Sequence, residues 1–218
     1  MKKLLLVTAI VLAPQAYAQG DLLAGFNVQL SSGMQVSRSS ITDAVGYSRY
    51  STNQASDDSA PSILGLSYTG KLGNQFTLGV LAEYNLLKSK AGTSNYTTDY
   101  TFASGSTQGA FTFEHSNQMA LSVVPGFVVN DSTLLYAKLG YATARVQATG
   151  SVANSVNVNG TLLGLGLKKV IQNNIYGFIE TNYIPYTNKS ITTTGSSSIT
   201  GTLKTSDYNF LVGVGYKF

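Results

Sequence analysis

The sequence predicts an all-β fold, an eight-stranded antiparallel up-and-down transmembrane β-barrel with β-prone extracellular loops. Three observations carry it: alternation of apolar and small or polar residues in eight segments, scarce charge, and connections that alternate between short and long. The last strand shows the alternation best. Tyr208, Phe210, Val212, Val214, Tyr216 and Phe218 fall on one face, with Asn209, Leu211, Gly213, Gly215 and Lys217 on the other. A period of two sustained that long has no helical counterpart.

Upstream segments repeat it. Residues 22–31 set Leu22, Ala24, Phe26, Val28 and Leu30 against Gly25, Asn27, Gln29 and Ser31, and residues 76–86 set Phe76, Leu78, Val80, Ala82, Tyr84 and Leu86 against Thr77, Gly79, Leu81, Glu83 and Asn85. Shorter alternations mark five more strands near 64–68, 119–127, 135–141, 163–167 and 175–183. Eight strands of about ten residues each have the length that crosses a bilayer when tilted.

Composition agrees. Charged residues make up 11% of the chain, against about 25% in soluble domains. Residues 1–18 read as a signal peptide, with Lys2 and Lys3, an apolar run from Leu4 to Ala13, and Ala16-Tyr17-Ala18 as the cleavage site. The domain is then 19–218. Removing the two lysines leaves 12 basic residues (14 − 2) against 10 acidic ones, so the formal net charge falls from +4 to +2. No Lys/Arg cluster remains to suit nucleic acid. Cysteine is absent, so disulfides and thiolate metal sites are excluded.

The compact turns lie at 71–75, 130–132 and 172–174, and the long connections at 36–60, 88–116, 147–159 and 187–206. That asymmetry is the outer-membrane pattern, with long loops outside. Residues 96–102 with 109–113, and 191–194 with 199–202, are expected to form hairpins that raise the wall above the membrane. Loop 36–60, with Asp57 and Asp58, is expected to be the most mobile and solvated.

A soluble ligand-binding barrel also alternates, so the faces must be told apart. Glu83, Lys138, Glu180 and Lys168 share the face that carries Gly, Ser and Asn, opposite the bulky apolar residues. Charge is costly toward lipid and tolerable in a polar lumen. These four therefore point inward. Tyr208 and Tyr216, about 20 Å apart along a tilted strand, suit the two interfacial girdles.

Terminal Tyr216-Lys217-Phe218, the run Val124-Pro125-Gly126-Phe127 leading to Leu135-Tyr136-Ala137-Lys138-Leu139-Gly140-Tyr141, and Ile179-Glu180-Thr181-Asn182-Tyr183 together resemble the small eight-stranded outer-membrane β-barrel superfamily (OmpA-like and OmpX-like). The resemblance implies that Tyr216 and Phe218 are read by the barrel-assembly machinery. It also implies that Glu83, Lys138, Glu180 and Lys168 form a salt-bridge network plugging the lumen. Partners would be outer-membrane lipid, lipopolysaccharide and host surface or matrix proteins, with no nucleic acid and a monomeric state.

The lone histidine lies in Glu114-His115-Ser116-Asn117. Lipid-deacylating barrels place a histidine and a serine on one strand face, which needs a spacing of two. Adjacent His115 and Ser116 point oppositely on a strand. The segment reads as a polar rim, and no enzyme, cofactor or metal site is expected. The expected function is a structural and surface-interaction barrel whose loops serve adhesion, host contact or immune recognition in a Gram-negative outer membrane. A narrow or gated pore for small solutes is the alternative, and a lipid-modifying enzyme a remote one.

Overall fold

The computed structural model describes residues 24–218, apart from 46–47, 53–54, 101–105, 151–153 and 194–198. The expected signal peptide lies outside the described residues. Twelve strands are described: β1 Gly25–Val45, β2 Ser48–Thr52, β3 Ala55–Ser59, β4 Ser62–Leu72, β5 Phe76–Asn85, β6 Ser89–Tyr100, β7 Ser106–Asn130, β8 Thr133–Gly150, β9 Asn154–Gln172, β10 Ile175–Pro185, β11 Lys189–Thr193 and β12 Ile199–Lys217. Eight of them close a ring, running β1-β4-β5-β7-β8-β9-β10-β12, all antiparallel. β12 pairs with β1 from Asn27↔Lys217 to Val45↔Thr200 and completes the barrel. Closure removes every sheet edge at membrane level, where an unpaired backbone group would be costly.

The short turns fall where the sequence places them. Gly73 and Asn173 take left-handed φ values of 79° and 46°, which glycine and asparagine tolerate. The Asn130 side chain accepts from the Ser132 N–H at 3.0 Å and closes the turn between β7 and β8.

Strand length departs from expectation. β1, β7, β8, β9 and β12 run 18 to 25 residues, not about ten. Both expected hairpins form: Tyr96 pairs with Gly109 between β6 and β7, and Ile191 with Gly201 between β11 and β12. The connection expected at 147–159 is mostly wall, because β8 and β9 stay paired up to Ala148↔Asn154. In the segment 36–60, β1 continues to Val45 and β3 pairs back onto it, with Asp57 opposite Ser37 and Asp58 opposite Val36. Asp57 and Asp58 therefore stand in a strand and not in an open loop. Thr, Ser and Tyr are at ease on a pleated surface, so a polar loop rich in them extends the sheet.

Polarity inverts along the same strands. On the lower part the apolar residues face outward: Met119, Leu121 and Val123 on β7, Leu135, Leu139 and Tyr141 on β8, and Tyr208, Phe210, Val212, Val214 and Tyr216 on β12 are all exposed. Above this band the apolar residues turn inward, and Phe113, Val146, Val158 and Leu203 form a buried cluster. Arg145 and Lys204 take the outer face there. Below the switch the barrel is built for lipid outside, and above it for water outside. β7 accomplishes the switch with a bulge between Ser116 and Met119, where Asn117 has φ of 51°. The extra residue moves odd-numbered positions from the inner face to the outer one.

Candidate functional site in the lumen

Two buried polar clusters occupy the lumen at different heights. The lower one is centred on Lys138 of β8. Its Nζ donates to Glu83 Oε2 of β5 at 2.6 Å and to Glu180 Oε1 of β10 at 2.9 Å. Tyr136 OH donates to the other Glu180 oxygen at 2.9 Å, and Asn182 Nδ2 to Glu180 Oε1 at 2.7 Å. Such charge-assisted bonds are strong, and each group needs them because burial strips its water. Of the four inward charges, the structure brings these three together and leaves Lys168 apart. Lys168 Nζ sits 4.2 Å from the centre of the Tyr176 ring, a cation–π contact lower in the lumen.

Small residues make room for this interior. A Cβ at Gly213 or Gly215 on β12 would collide with the rings of Phe178 and Tyr176, which point in from β10. Cavities of about 20 and 40 Å³ flank the lower cluster, the first lined by Gln29, Thr77, Tyr136 and Lys168, the second by Glu83, Gln118, Asn182 and Asn209.

The upper cluster centres on Asp207 of β12. Asp207 is fully buried and accepts from Ser37 Oγ at 2.7 Å, Gln118 Nε2 at 2.9 Å and Tyr186 OH at 2.9 Å. His115 Nδ1 stands 3.2 Å from Asp207 Oδ1. The alignment is too poor for a hydrogen bond, so this contact is an ion pair in distance only. Nε2 of His115 lies 3.3 Å from Thr205 Oγ1. Burial pushes the Asp207 carboxyl up, but the His115 imidazole and the Ser37 and Tyr186 donors outweigh it and hold it below the usual aspartate range. One carboxylate thus ties together β1, β7, β12 and the residue after β10.

His115 corrects an expectation. The sequence places it in a polar rim, whereas the side chain is fully buried beside Phe113 in the interior. The bulge at Asn117 is the reason, because it alters the phase of β7 between the rim and the band. His115 and Ser116 do point to opposite faces, since Ser116 donates outside the lumen to the Arg145 carbonyl at 3.4 Å. Asp207, Tyr186, Gln118 and Ser37 went unrecognised as a group. The alternation that sets Asn209 inside also sets Asp207 inside, so its face was legible, but not its partners. Among the described residues no group of three or more His, Asp or Glu is placed to hold a metal ion.

The terminal aromatics lie outside the lumen. Phe218 N donates to the Phe26 carbonyl at 2.9 Å, and its ring packs against Phe26 and Tyr216 at 5.7 and 5.0 Å between centres. Both Tyr216 and Phe218 are exposed on the apolar band.

Solved structures to which this chain is similar include Ail, the attachment invasion locus protein of Yersinia pestis. It is 17% identical, with 90% of this chain and 100% of that chain covered and a TM-score of 0.48. The outer membrane protease OmpT from Escherichia coli is 9% identical, covering 89% and 97%, with a TM-score of 0.52. The outer membrane protein OprG from Pseudomonas aeruginosa is 13% identical, covering 93% and 99%, with a TM-score of 0.49. Among curated proteins none matches the sequence. The family model described as "Outer membrane protein beta-barrel domain" matches residues 4–218. With the closed ring of eight strands and the outward apolar band, that match makes this chain a member of the outer membrane protein β-barrel family.

Proposed function

We propose that this protein is a closed barrel that carries a rigid interaction surface above the outer membrane. The observation that supports it best is the upper wall. β7 continues for 13 residues beyond Met119, about 30 Å along a tilted strand, and the interior it helps to line is packed with apolar side chains from β7, β8, β9 and β12. Crossing the membrane requires none of this. A wall with its own core fixes the strand ends from which the loops spring, which lowers the ordering cost of binding a protein outside the cell. Host surface or matrix proteins are the partners of that chemistry, with lipopolysaccharide around the wall. The Glu83–Lys138–Glu180 bridge, supported by Tyr136, would plug the lumen below it.

The test is binding of cells displaying the protein to immobilised matrix and serum proteins, with each loop tip replaced in turn by a short Gly/Ser turn. Loss of binding on replacing one tip, with folding checked by heat-dependent gel mobility, supports the proposal. Binding by no folded form would sink it.

A second reading, a narrow or gated passage, draws on the two small polar cavities on either side of Lys138. Steady single-channel openings in a planar bilayer would favour it and remove the plug. We also read the chain as a non-enzyme. His115 and Thr205 are adjacent, but both are buried, which leaves no room for a substrate between them. Unchanged lipid A acylation on co-expression is the expected result, and Tyr216 and Phe218 retain the proposed role in assembly.

A further inference from the structure

Two adjacent rungs cross the outer wall near the top of the apolar band. One runs Leu64–Tyr84–Met119–Thr143, and beneath it lies Leu66–Ala82–Leu121–Tyr141. Ala82 is the small residue between two leucines, directly below Tyr84. The space a larger side chain would fill opens as a groove of about 500 Å³ along these rungs. Because the groove is continuous with the lipid-facing band, a hydrocarbon chain is its natural occupant.

What sets this groove apart from ordinary lipid contact is the wall immediately above it. Arg145 stands opposite Ser116, one outward position above Thr143, and Lys90 stands opposite Glu114 beyond that. Lys88 is 3.5 Å from Glu114. Three cations share this stretch with two carboxylates, Glu114 and the exposed Asp58 of β3, whose strand packs against β6 where Ser56 meets Gly92, a formal excess of +1 (3 − 2). Arg145 Nη2 donates to the neutral Ser155 hydroxyl at 2.8 Å, and among the described residues it meets no carboxylate in an ion pair. On the opposite wall, Tyr183 and Tyr208 stack with centres 4.4 Å apart, and the Arg38 guanidinium lies 5.4 Å from the centre of the Tyr208 ring.

We propose that this groove binds one phosphorylated lipid of the outer leaflet, with an acyl chain over Ala82 and the phosphate on Arg145 and Lys90. A guanidinium offers a phosphate two parallel hydrogen bonds, and at the edge of the hydrocarbon region such a contact is poorly screened. The site needs the outer-membrane orientation, with the long strand ends outside, but no particular protein partner. It therefore stands or falls independently of the interaction surface proposed above.

The experiment is native mass spectrometry of the folded barrel in detergent, titrated with diphosphoryl lipid A and with its dephosphorylated form. The expected result is one retained lipid, with the phosphorylated form preferred by about tenfold. Arg145→Gln combined with Lys90→Gln should bring the two forms to parity. Ala82→Leu should weaken both equally, since it fills only the groove. Thr181→Leu, on the opposite wall, should change neither. Parity in the unmodified protein overturns the proposal, as does retention insensitive to Ala82→Leu or equally sensitive to Thr181→Leu. Heat-dependent gel mobility confirms that each variant tested is folded.

Discussion

The lumen at membrane level and the lumen above it are built on opposite rules, although the same strands line both. Below, Lys138, Glu83 and Glu180 neutralise one another inside a wall whose outer face is apolar. Above, Phe113, Leu203, Val146 and Val158 fill the interior of a wall whose outer face carries Arg145 and Lys204. The difference teaches that solvent, and not strand geometry, assigns the faces. Lipid outside removes the driving force for an apolar interior, so polar groups can satisfy one another within. Water outside restores that driving force, and the upper barrel packs like a soluble core.

Lys138→Met probes the lower half and should have the largest effect. It leaves two buried carboxylates unpaired, at a cost of about 3–5 kcal/mol. Exchanging all three charges together, as Glu83→Gln, Lys138→Met and Glu180→Gln, should restore most of the loss. Urea unfolding in vesicles followed by circular dichroism gives both values, since the chain has no tryptophan to report. If the triple variant were as unstable as the single one, the charges would not act as a set.

Phe113→Ala probes the upper half. Removing a fully buried ring should cost about 3 kcal/mol, but the loss should be confined to the extension. Limited proteolysis should then cut the upper wall and spare the membrane-level strands. Cleavage at both levels would mean that the two halves fold as one unit.

The junction between the halves is the Asp207 cluster, where Asp207→Asn should cost about 1–3 kcal/mol. Its pH dependence has a definite sign. The folded carboxyl lies below its usual range, so its contribution is present above the unfolded value, about pH 4, and is lost as pH falls through the folded one. Stability of the extension should therefore drop on acidification below about pH 4 in the parent and much less in Asp207→Asn. Equal acid profiles would remove Asp207 from the junction.

The smallest effect belongs to the bulge that lets β7 change rules. Asn117→Val puts a β-branched residue at φ of 51° and should cost about 1–2 kcal/mol. Hydrogen exchange should rise locally at 116–119. Protection unchanged there would mean that the bulge tolerates any residue.

Legibility followed local pattern. The alternation from Tyr208 to Phe218 was enough to assign both faces of β12, because at membrane level the apolar face is always the outer one. The same logic placed Glu83, Lys138 and Glu180 inside. It could not separate Lys168, whose partner became the Tyr176 ring of the neighbouring strand. β8 shows the inversion openly: its apolar residues pass from odd positions at Leu139 and Tyr141 to even ones at Ala144 and Val146. β7 hides it, because the bulge keeps Phe113, Met119 and Leu121 all on odd numbers while the face changes. His115 was misplaced for that reason.

By itself, then, the sequence determined the eight strands of the ring, the compact turns, the lipid face and the compartment, since period two and scarce charge are properties of single segments. Only the tertiary structure decided how high the wall rises, that its upper interior is apolar, and that Asp207 meets His115, Tyr186, Gln118 and Ser37. Those outcomes depend on which strands become neighbours around a closed ring. Ring closure brings together residues as far apart in the chain as Ser37 and Asp207, and no local pattern encodes such a meeting.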